Sequence, residues 1–408
     1  LQRLLEVLSA ELEQLEQAGT AKGAEHVVTG TVPGGEGRAP RYSLAGYPGR
    51  AFLRMNSNSY LALGQHDELI RAEEETSRAV GVGPGAVRFI SGTYREHVQL
   101  EDDLARFHGR ESAMVFSSAY ATALSVIVPL TTAETALVSD ELNHNCIITA
   151  MRLTRPVGKF IYRHLDLDHL REQLEAAAAS GARRCLVVTD GIFSMRGVHA
   201  PLADIQELLA GYRGRFSEGL ILIVDDSHGV AAVGDGGRGT EELTGSGPSD
   251  ILIGTLGKGF GVNGGYVTGP KVLTDYLRQT AMMYIYSNPI TPGEAAAASR
   301  AVAIVDSAEG RQLLETVRKR ADRFRNGLSA AGLETLPGAH PVVPLMVRDT
   351  PRTADLVQYL FDNNVLVTGL TFPVVPRGDE SIRFQLAADH SEDDVDEVLE
   401  LLSRRLAD

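Results

Sequence analysis

From about Ser112 to Val267 the chain carries a regular series of short apolar runs. They are Met114–Phe116, Ala136–Val138, Phe160–Tyr162, Cys185–Val188, Leu220–Val224, Ile251–Ile253 and Tyr266–Val267. Between them lie stretches with helical spacing, such as Leu167–Ala179 and Leu202–Leu209. Runs this short, separated by helices, predict a mostly parallel sheet covered on both faces. In such sheets ligands bind beyond the carboxyl ends of the strands. Asp190, Asp225 and Lys258 all fall at those ends.

The flanks follow other patterns. Leu4, Leu5, Leu8, Leu12 and Leu15 recur at helical spacing among glutamates and predict a leader helix ending near Gly19. A Gly/Pro-rich connector, Gly30 to Gly37, leads to a short apolar segment, Ala51–Leu53. Pro292 predicts the start of an alanine-rich helix and a hinge into a second domain. That domain has apolar runs at Val342–Val347, Val365–Val367 and Ile382–Leu386, and a closing helix from about Glu392. The expected organisation is α/β: an N-terminal helix and connector (1–50), a large domain (51–291) and a smaller C-terminal α/β domain (292–408).

A length of 408 residues suits one large domain and a smaller one, and 43% hydrophobic with 23% charged residues is ordinary for a globular enzyme. A net charge of -14 argues against a nucleic-acid binder, though local arginines can still build an anion pocket. No stretch approaches the roughly 18 apolar residues of a membrane span. The acidic leader is unlike a signal peptide, so the cytoplasm is the expected address. Cys146 and Cys185 have neither metal-ligand spacing nor a disulfide framework; both read as buried thiols, and no metal site is expected.

Candidate chemistry centres on Thr255-Leu-Gly-Lys-Gly-Phe-Gly261, which follows one apolar run, while Asp225-Asp-Ser-His228 ends another. A lysine in a glycine-rich turn is by itself a solvated loop as readily as a reactive site. Paired with a strand-end acid, it offers what pyridoxal phosphate (PLP) chemistry needs: an amine able to form an imine, and a carboxylate to keep the pyridine nitrogen protonated. Gly81-Val-Gly83-Pro-Gly85 mimics a dinucleotide fingerprint, but no clean strand precedes it, and the lysine loop lacks the Ser or Thr that follows lysine in a P-loop.

Seven ordered motifs resemble those of the α-oxoamine synthases, nearest to the glycine C-acetyltransferase branch. They are Val87-Arg-Phe-Ile-Ser-Gly-Thr93, Asp140-Glu-Leu-Asn-His144, Asp190-Gly-Ile-Phe-Ser-Met195, Val224-Asp-Asp-Ser-His228, the lysine loop, Tyr286-Ser-Asn288 and Phe372-Pro-Val-Val-Pro376. The resemblance runs from roughly residue 50 to 405. It implies a PLP-dependent enzyme of fold type I that joins an amino acid to an acyl thioester as a homodimer with shared active sites.

The resemblance also implies roles. Lys258 would hold the cofactor and then move protons at the substrate α-carbon, and Asp225 would pair with the pyridine nitrogen. His144 would stack on the ring, and His228 and Ser194 would lie near its phenolic oxygen, with a turn-stabilising hydroxyl as the alternative for Ser194. Ser118, the amides of Ala119 and Tyr120, and the Thr255 hydroxyl would receive the phosphate. Core packing is the alternative for the Tyr120 ring. Ser287 and Asn288 would reach the phosphate of the neighbouring subunit. Arg383 would bind the substrate carboxylate, helped by Asn58, whose alternative is a turn cap. Arg88 reads as structural or thioester-facing.

Three positions depart from the family pattern: Ala121, Ala123 and Arg196. The first two are expected near the cofactor, the third on the surface. The expected reaction is decarboxylative condensation of a small amino acid, glycine first and alanine or serine next, with an acyl-CoA or a carrier-protein thioester. An aminotransferase or retro-aldol lyase would use Asp225, Lys258 and Arg383 as well.

Overall fold

A computed structural model describes residues 1–18, 21, 24–35, 37–372 and 374–407, the side chains of 406 and 407 excepted. Gly19, the expected end of the leader, and Pro373 of the Phe372–Pro376 motif lie outside them.

Each of the seven predicted apolar runs is a strand of one central sheet: β1 (Ser112–Phe116), β2 (Thr135–Asp140), β3 (Gly158–Tyr162), β4 (Arg184–Asp190), β5 (Gly219–Asp225), β6 (Ile251–Thr255) and β7 (Gly265–Gly269). Their spatial order is β1-β7-β6-β5-β4-β2-β3. The pairs from β6 through to β3 are parallel, while β7 runs antiparallel to both β6 and β1. Neighbouring residues of a strand point to opposite faces, and both faces are apolar here. Leu137, Leu186, Ile223 and Ile253 pack with the helices Ala119–Leu130 and Asn145–Leu153. Their neighbours Val138, Val187, Val224 and Leu252 pack with the helices Leu167–Ala179 and Leu202–Ala210. This double burial explains why the strands read as unbroken apolar runs rather than alternating ones.

The C-terminal region holds a three-stranded antiparallel sheet of β8 (Val342–Met346), β9 (Thr368–Leu370) and β10 (Ser381–Gln385), with β10 in the middle. The helices Ala308–Ala330 and Glu392–Ala407 pack against each other beside it.

Two expected boundaries shift. The helix Pro292–Val305 starts where predicted, locked by a capping box in which Thr291 and Glu294 bond each other's backbone amides (3.0 and 2.7 Å). However, it packs on the helices Asp67–Val80 and Arg95–Phe107, so the break to the smaller domain falls nearer Asp306. At the other end, Leu53–Arg54 does not open the large domain. It pairs in parallel with Val365–Leu366, and Asp394 of the last helix binds Arg41 (2.6 Å) and the Ala39 amide (2.7 Å). The connector is therefore sewn to the C-terminal domain. The leader helix Gln2–Gln17 buries none of its residues, and among the described residues no helix is long and apolar enough to cross a membrane.

Candidate active site

The carboxyl ends of β2, β4, β5 and β6 converge on a cavity of about 200 Å3. Ala119, Tyr120, His144, Ser194, Asp225, His228, Thr255 and Lys258 line it, together with Cys146, Asp190, Ile192 and Ser227. Residues from 119 to 258 meet there because parallel strands all discharge their loops on the same side.

The lysine loop is held by its own bonds. Leu256 N donates to Gly264 O (2.9 Å), Val262 N to Leu256 O (3.0 Å) and Gly261 N to Lys258 O (2.9 Å). Gly261 has φ of 74°, and a Cβ there would lie 2.4 Å from Gly64 N, so no other residue fits without displacement. Burial holds the Lys258 ammonium down to about 8, with Asp225 and Asp190 pulling partly the other way. The neutral amine is thus within reach near neutral pH.

One end of the cavity is acidic. Asp225 and Asp190 sit side by side in register on β5 and β4. Asp225 Oδ1 accepts from Ser227 N (3.1 Å) and Ser227 Oγ (2.6 Å). Asp190 Oδ2 accepts from His144 N (2.9 Å), and Asn143 Oδ1 accepts from Asp190 N (2.8 Å). Burial, then the Asp225 charge, pushes Asp190 well above the usual carboxylate range. His144 caps the helix Asn145–Leu153, its Nδ1 accepting from Cys146 N (3.3 Å), and burial pushes its basicity down.

The opposite end presents donors. Ser118 caps the helix Ala119–Leu130, its Oγ accepting from Ala121 N (3.1 Å), which leaves the amides of Ala119 and Tyr120 at the open helix start. Gly265 of β7 passes directly beneath; a Cβ there would come within 2.3 Å of Ala119 N. Thr255 Oγ1 accepts from Gly257 N (3.2 Å) and donates to Gly264 O (3.1 Å).

Arg383 and Asn58 do not line this cavity themselves; Arg383 reaches it through the lining residue Ser194, and Asn58 through a neighbouring cavity that shares Lys258. On β10, Ile382 and Phe384 point into the core and Arg383 points the other way, its Nη1 donating to Ser194 O (3.0 Å). Among the described residues no carboxylate pairs with Arg383, and its buried Nε has no hydrogen-bond partner. A half-buried cation with a shielded, unsatisfied N–H is a natural partner for an anion. Asn58 Oδ1 accepts from Gln385 Nε2 (2.8 Å) and Tyr60 Oη (3.3 Å), and Asn58 lines a second cavity, about 530 Å3, that also reaches Lys258. The fully buried Tyr60 hydroxyl lies 2.8 Å from His228 Nδ1. Burial, then Lys258, pushes His228 well below its ordinary basicity, leaving a neutral ring.

Other candidates fall elsewhere. Ser287 and Asn288 do not line the cavity; they follow the exposed Met282, Met283 and Tyr286. Arg88 is structural: its guanidinium is buried and bidentate to Glu101 (3.0 and 3.2 Å) beneath the exposed Phe89 and Ile90. Of the departures, Ala123 is corrected: it is fully buried among Phe116 and Ile127 on the sheet face and does not border the cavity. Ala121 sits in the first helical turn, beside the lining residue Tyr120. Arg196 is more than a surface residue, because it pairs with Asp379 (2.8 Å) across the two domains.

Sequence reasoning gave no role to Tyr60, Ser227 or Cys146. The Cys146 thiol is 3.0 Å from His144 Nδ1 and 3.5 Å from Asp225 Oδ2, and burial, then Asp225, raises its pKa.

An acid at one end, helix-start amides and a hydroxyl at the other, and a deprotonable lysine between them fit PLP, which carries a ring nitrogen, an aldehyde and a phosphate. Comparison with known proteins agrees. The aminotransferase class I and II family model matches residues 50–402. The bovine mitochondrial 2-amino-3-ketobutyrate coenzyme A ligase is 38% identical over 98% of this chain and 91% of its own length. An 8-amino-7-oxononanoate synthase from Thermosipho melanesiensis is 37% identical over 86% of this chain and 88% of its own. A variant of serine palmitoyltransferase from S. paucimobilis with a bound PLP–myriocin aldimine superposes with a TM-score of 0.86 at 23% identity, covering 99% of this chain and 98% of that one.

Proposed function

As the chain belongs to the α-oxoamine synthases, fold type I PLP-dependent acyltransferases within the class I and II aminotransferase family, we propose that it condenses a small α-amino acid with an acyl-CoA. Glycine is the favoured amino acid, with alanine and serine next. The products are an α-amino ketone, CO2 and free thiol. A carrier-protein thioester would serve the same chemistry. The observation that carries the reading is Arg383, a half-buried guanidinium without a carboxylate partner, bonded to the backbone oxygen of Ser194, which lines the Lys258 cavity.

Asp225 would hold the cofactor's ring nitrogen, His144 its face, and Ala119, Tyr120, Ser118 and Thr255 its phosphate, with His228 and Ser194 near the phenolic oxygen. When bound, PLP supplies an electron sink for the bond pair released at the α-carbon. Arg383, helped by Asn58, fixes the substrate carboxylate so that the α-hydrogen faces Lys258. Lys258 Nζ takes that proton, and a carbon–carbon bond forms to the thioester carbonyl as the carbon–sulfur bond breaks and the thiol leaves. Loss of CO2 and return of a proton to the α-carbon complete the exchange. The neutral His228 ring, anchored by Tyr60, can accept or donate a hydrogen bond without adding charge beside Lys258.

The same reading makes the enzyme a homodimer in a soluble compartment. Ser287 and Asn288 stand away from their own cavity next to exposed apolar residues, which supports their service to a second copy.

The deciding experiment incubates PLP-loaded protein with glycine and acetyl- or longer acyl-CoAs, following thiol and CO2. Thiol and CO2 in equal amounts are expected. A 2-oxo acid formed without consumption of thioester would replace this reading with transamination.

A further inference from the structure

A third cavity, of about 440 Å3, opens between the two domains beside the Lys258 site. His144, Asp190 and Ser194 line both, so the two spaces share a wall. Away from that wall the lining becomes aliphatic and aromatic: Leu142, Ile148 and Phe193 come from the large domain, and Leu336, Met346 and Val375 from the smaller one. The polar lining is committed in part: Arg196 of the large domain pairs with Asp379 of the smaller one at 2.8 Å, and Glu141, beside Asn143 and Asn145, accepts from His164 N at 2.9 Å. By contrast, the 530 Å3 cavity on the Asn58 side is polar, lined by Asn56, Ser57, Arg54 and Asp389.

We propose that this apolar cavity receives the acyl chain of the thioester and that the enzyme prefers a saturated chain of medium length over an acetyl group. The proposal rests on the condensation reading above and names its donor. Taking roughly 30 Å3 per small group, the share of one water in the liquid, the space holds on the order of fifteen such groups. A chain of about six to ten carbons fills most of it with allowance for packing. Two carbons would leave most of the lining without partner atoms, forfeiting dispersion contacts and apolar burial. The shared wall sets the chain's direction: a carbonyl held near His144 and Lys258 leaves the rest of the acyl group to run past Ser194 into the apolar space. An anionic acyl end would be stripped of water there without a free cation to meet it, because Arg196 is already paired with Asp379.

Isothermal titration of the PLP-loaded enzyme with acetyl-, butyryl-, hexanoyl-, octanoyl- and decanoyl-CoA, without amino acid, tests this directly. Each methylene buried should tighten binding about fourfold, at one site per chain, until the cavity is full. The same series with glycine present should show thiol release rising in kcat/KM with chain length. Met346→Trp, which fills the space, should reduce the octanoyl-over-acetyl advantage to less than about threefold; the wild-type series stands whether or not that variant folds. A Kd independent of chain length, or tightening at many sites per chain, overturns the proposal. Chain-length-dependent binding without thiol release from any donor would instead sink the condensation reading and leave the apolar site in place.

Discussion

The hydroxyl of Tyr60 lies 2.8 Å from Nδ1 of His228, joining a loop near the start of the chain to the end of β5. Neither group meets solvent appreciably, and the same hydroxyl also donates to Asn58 Oδ1 at 3.3 Å. Tyr60→Phe should cost about 1 kcal/mol of stability and lower turnover about tenfold by freeing the imidazole. Unchanged kcat/KM, with a correctly folded variant by circular dichroism, would mean that His228 needs no anchor.

Lys258 is expected to carry the cofactor and the proton at the α-carbon. Lys258→Ala should bind PLP loosely, give no borohydride-fixed adduct by mass spectrometry, and lose several powers of ten in turnover, each about 1.4 kcal/mol of barrier. Near-normal turnover in that variant would refute the mechanism.

The depressed basicity of this lysine has a kinetic signature. Burial holds it down to about 8 in place of the ordinary lysine value, and only the neutral amine attacks an aldehyde. The rate at which apoenzyme captures PLP should therefore climb with pH up to about 8 and level off above. Stopped-flow absorbance measures it. A continued tenfold rise per pH unit past about 9 would indicate an ordinary exposed amine.

Asp394 is the clearest stability determinant outside the site. Burial alone would raise its pKa, but the Arg41 guanidinium and then the Ser391 and Ala39 donors carry it well below the usual carboxylate range. A depressed folded value means that its contribution is complete above about pH 4, the unfolded carboxylate range, and is lost as pH falls through the folded value. Asp394→Ala should destabilise by about 3 kcal/mol at neutral pH, since it strands Arg41. Urea melts should show the gap from wild type narrowing below about pH 4.

The central sheet was readable because double burial writes each strand as an unbroken apolar run, and glycines punctuate the lysine turn. Lys258 and Asp225 stood out because strand ends are local features. The remainder depends on contacts distant in sequence. Cys146 reads as a core thiol until the end of β5 brings Asp225 beside it, and Arg196 reads as surface until Asp379, 183 positions later, meets it. Ala123 shows the reverse error: its closeness in sequence to Tyr120 suggested a place in the pocket, but the helical turn points it into the core.

The pairing of Leu53–Arg54 with Val365–Leu366 continues through Gln385 N to Met55 O (2.9 Å) and Ala388 N to Tyr60 O (2.8 Å). Asn58, Tyr60 and Arg383 therefore ride on one rigid jaw, though 325 positions separate the first from the last. A chimaera that swaps only the carboxy-terminal third between relatives would split that jaw at its seam. Recombinants that retain activity should inherit both ends of the gene from the same parent.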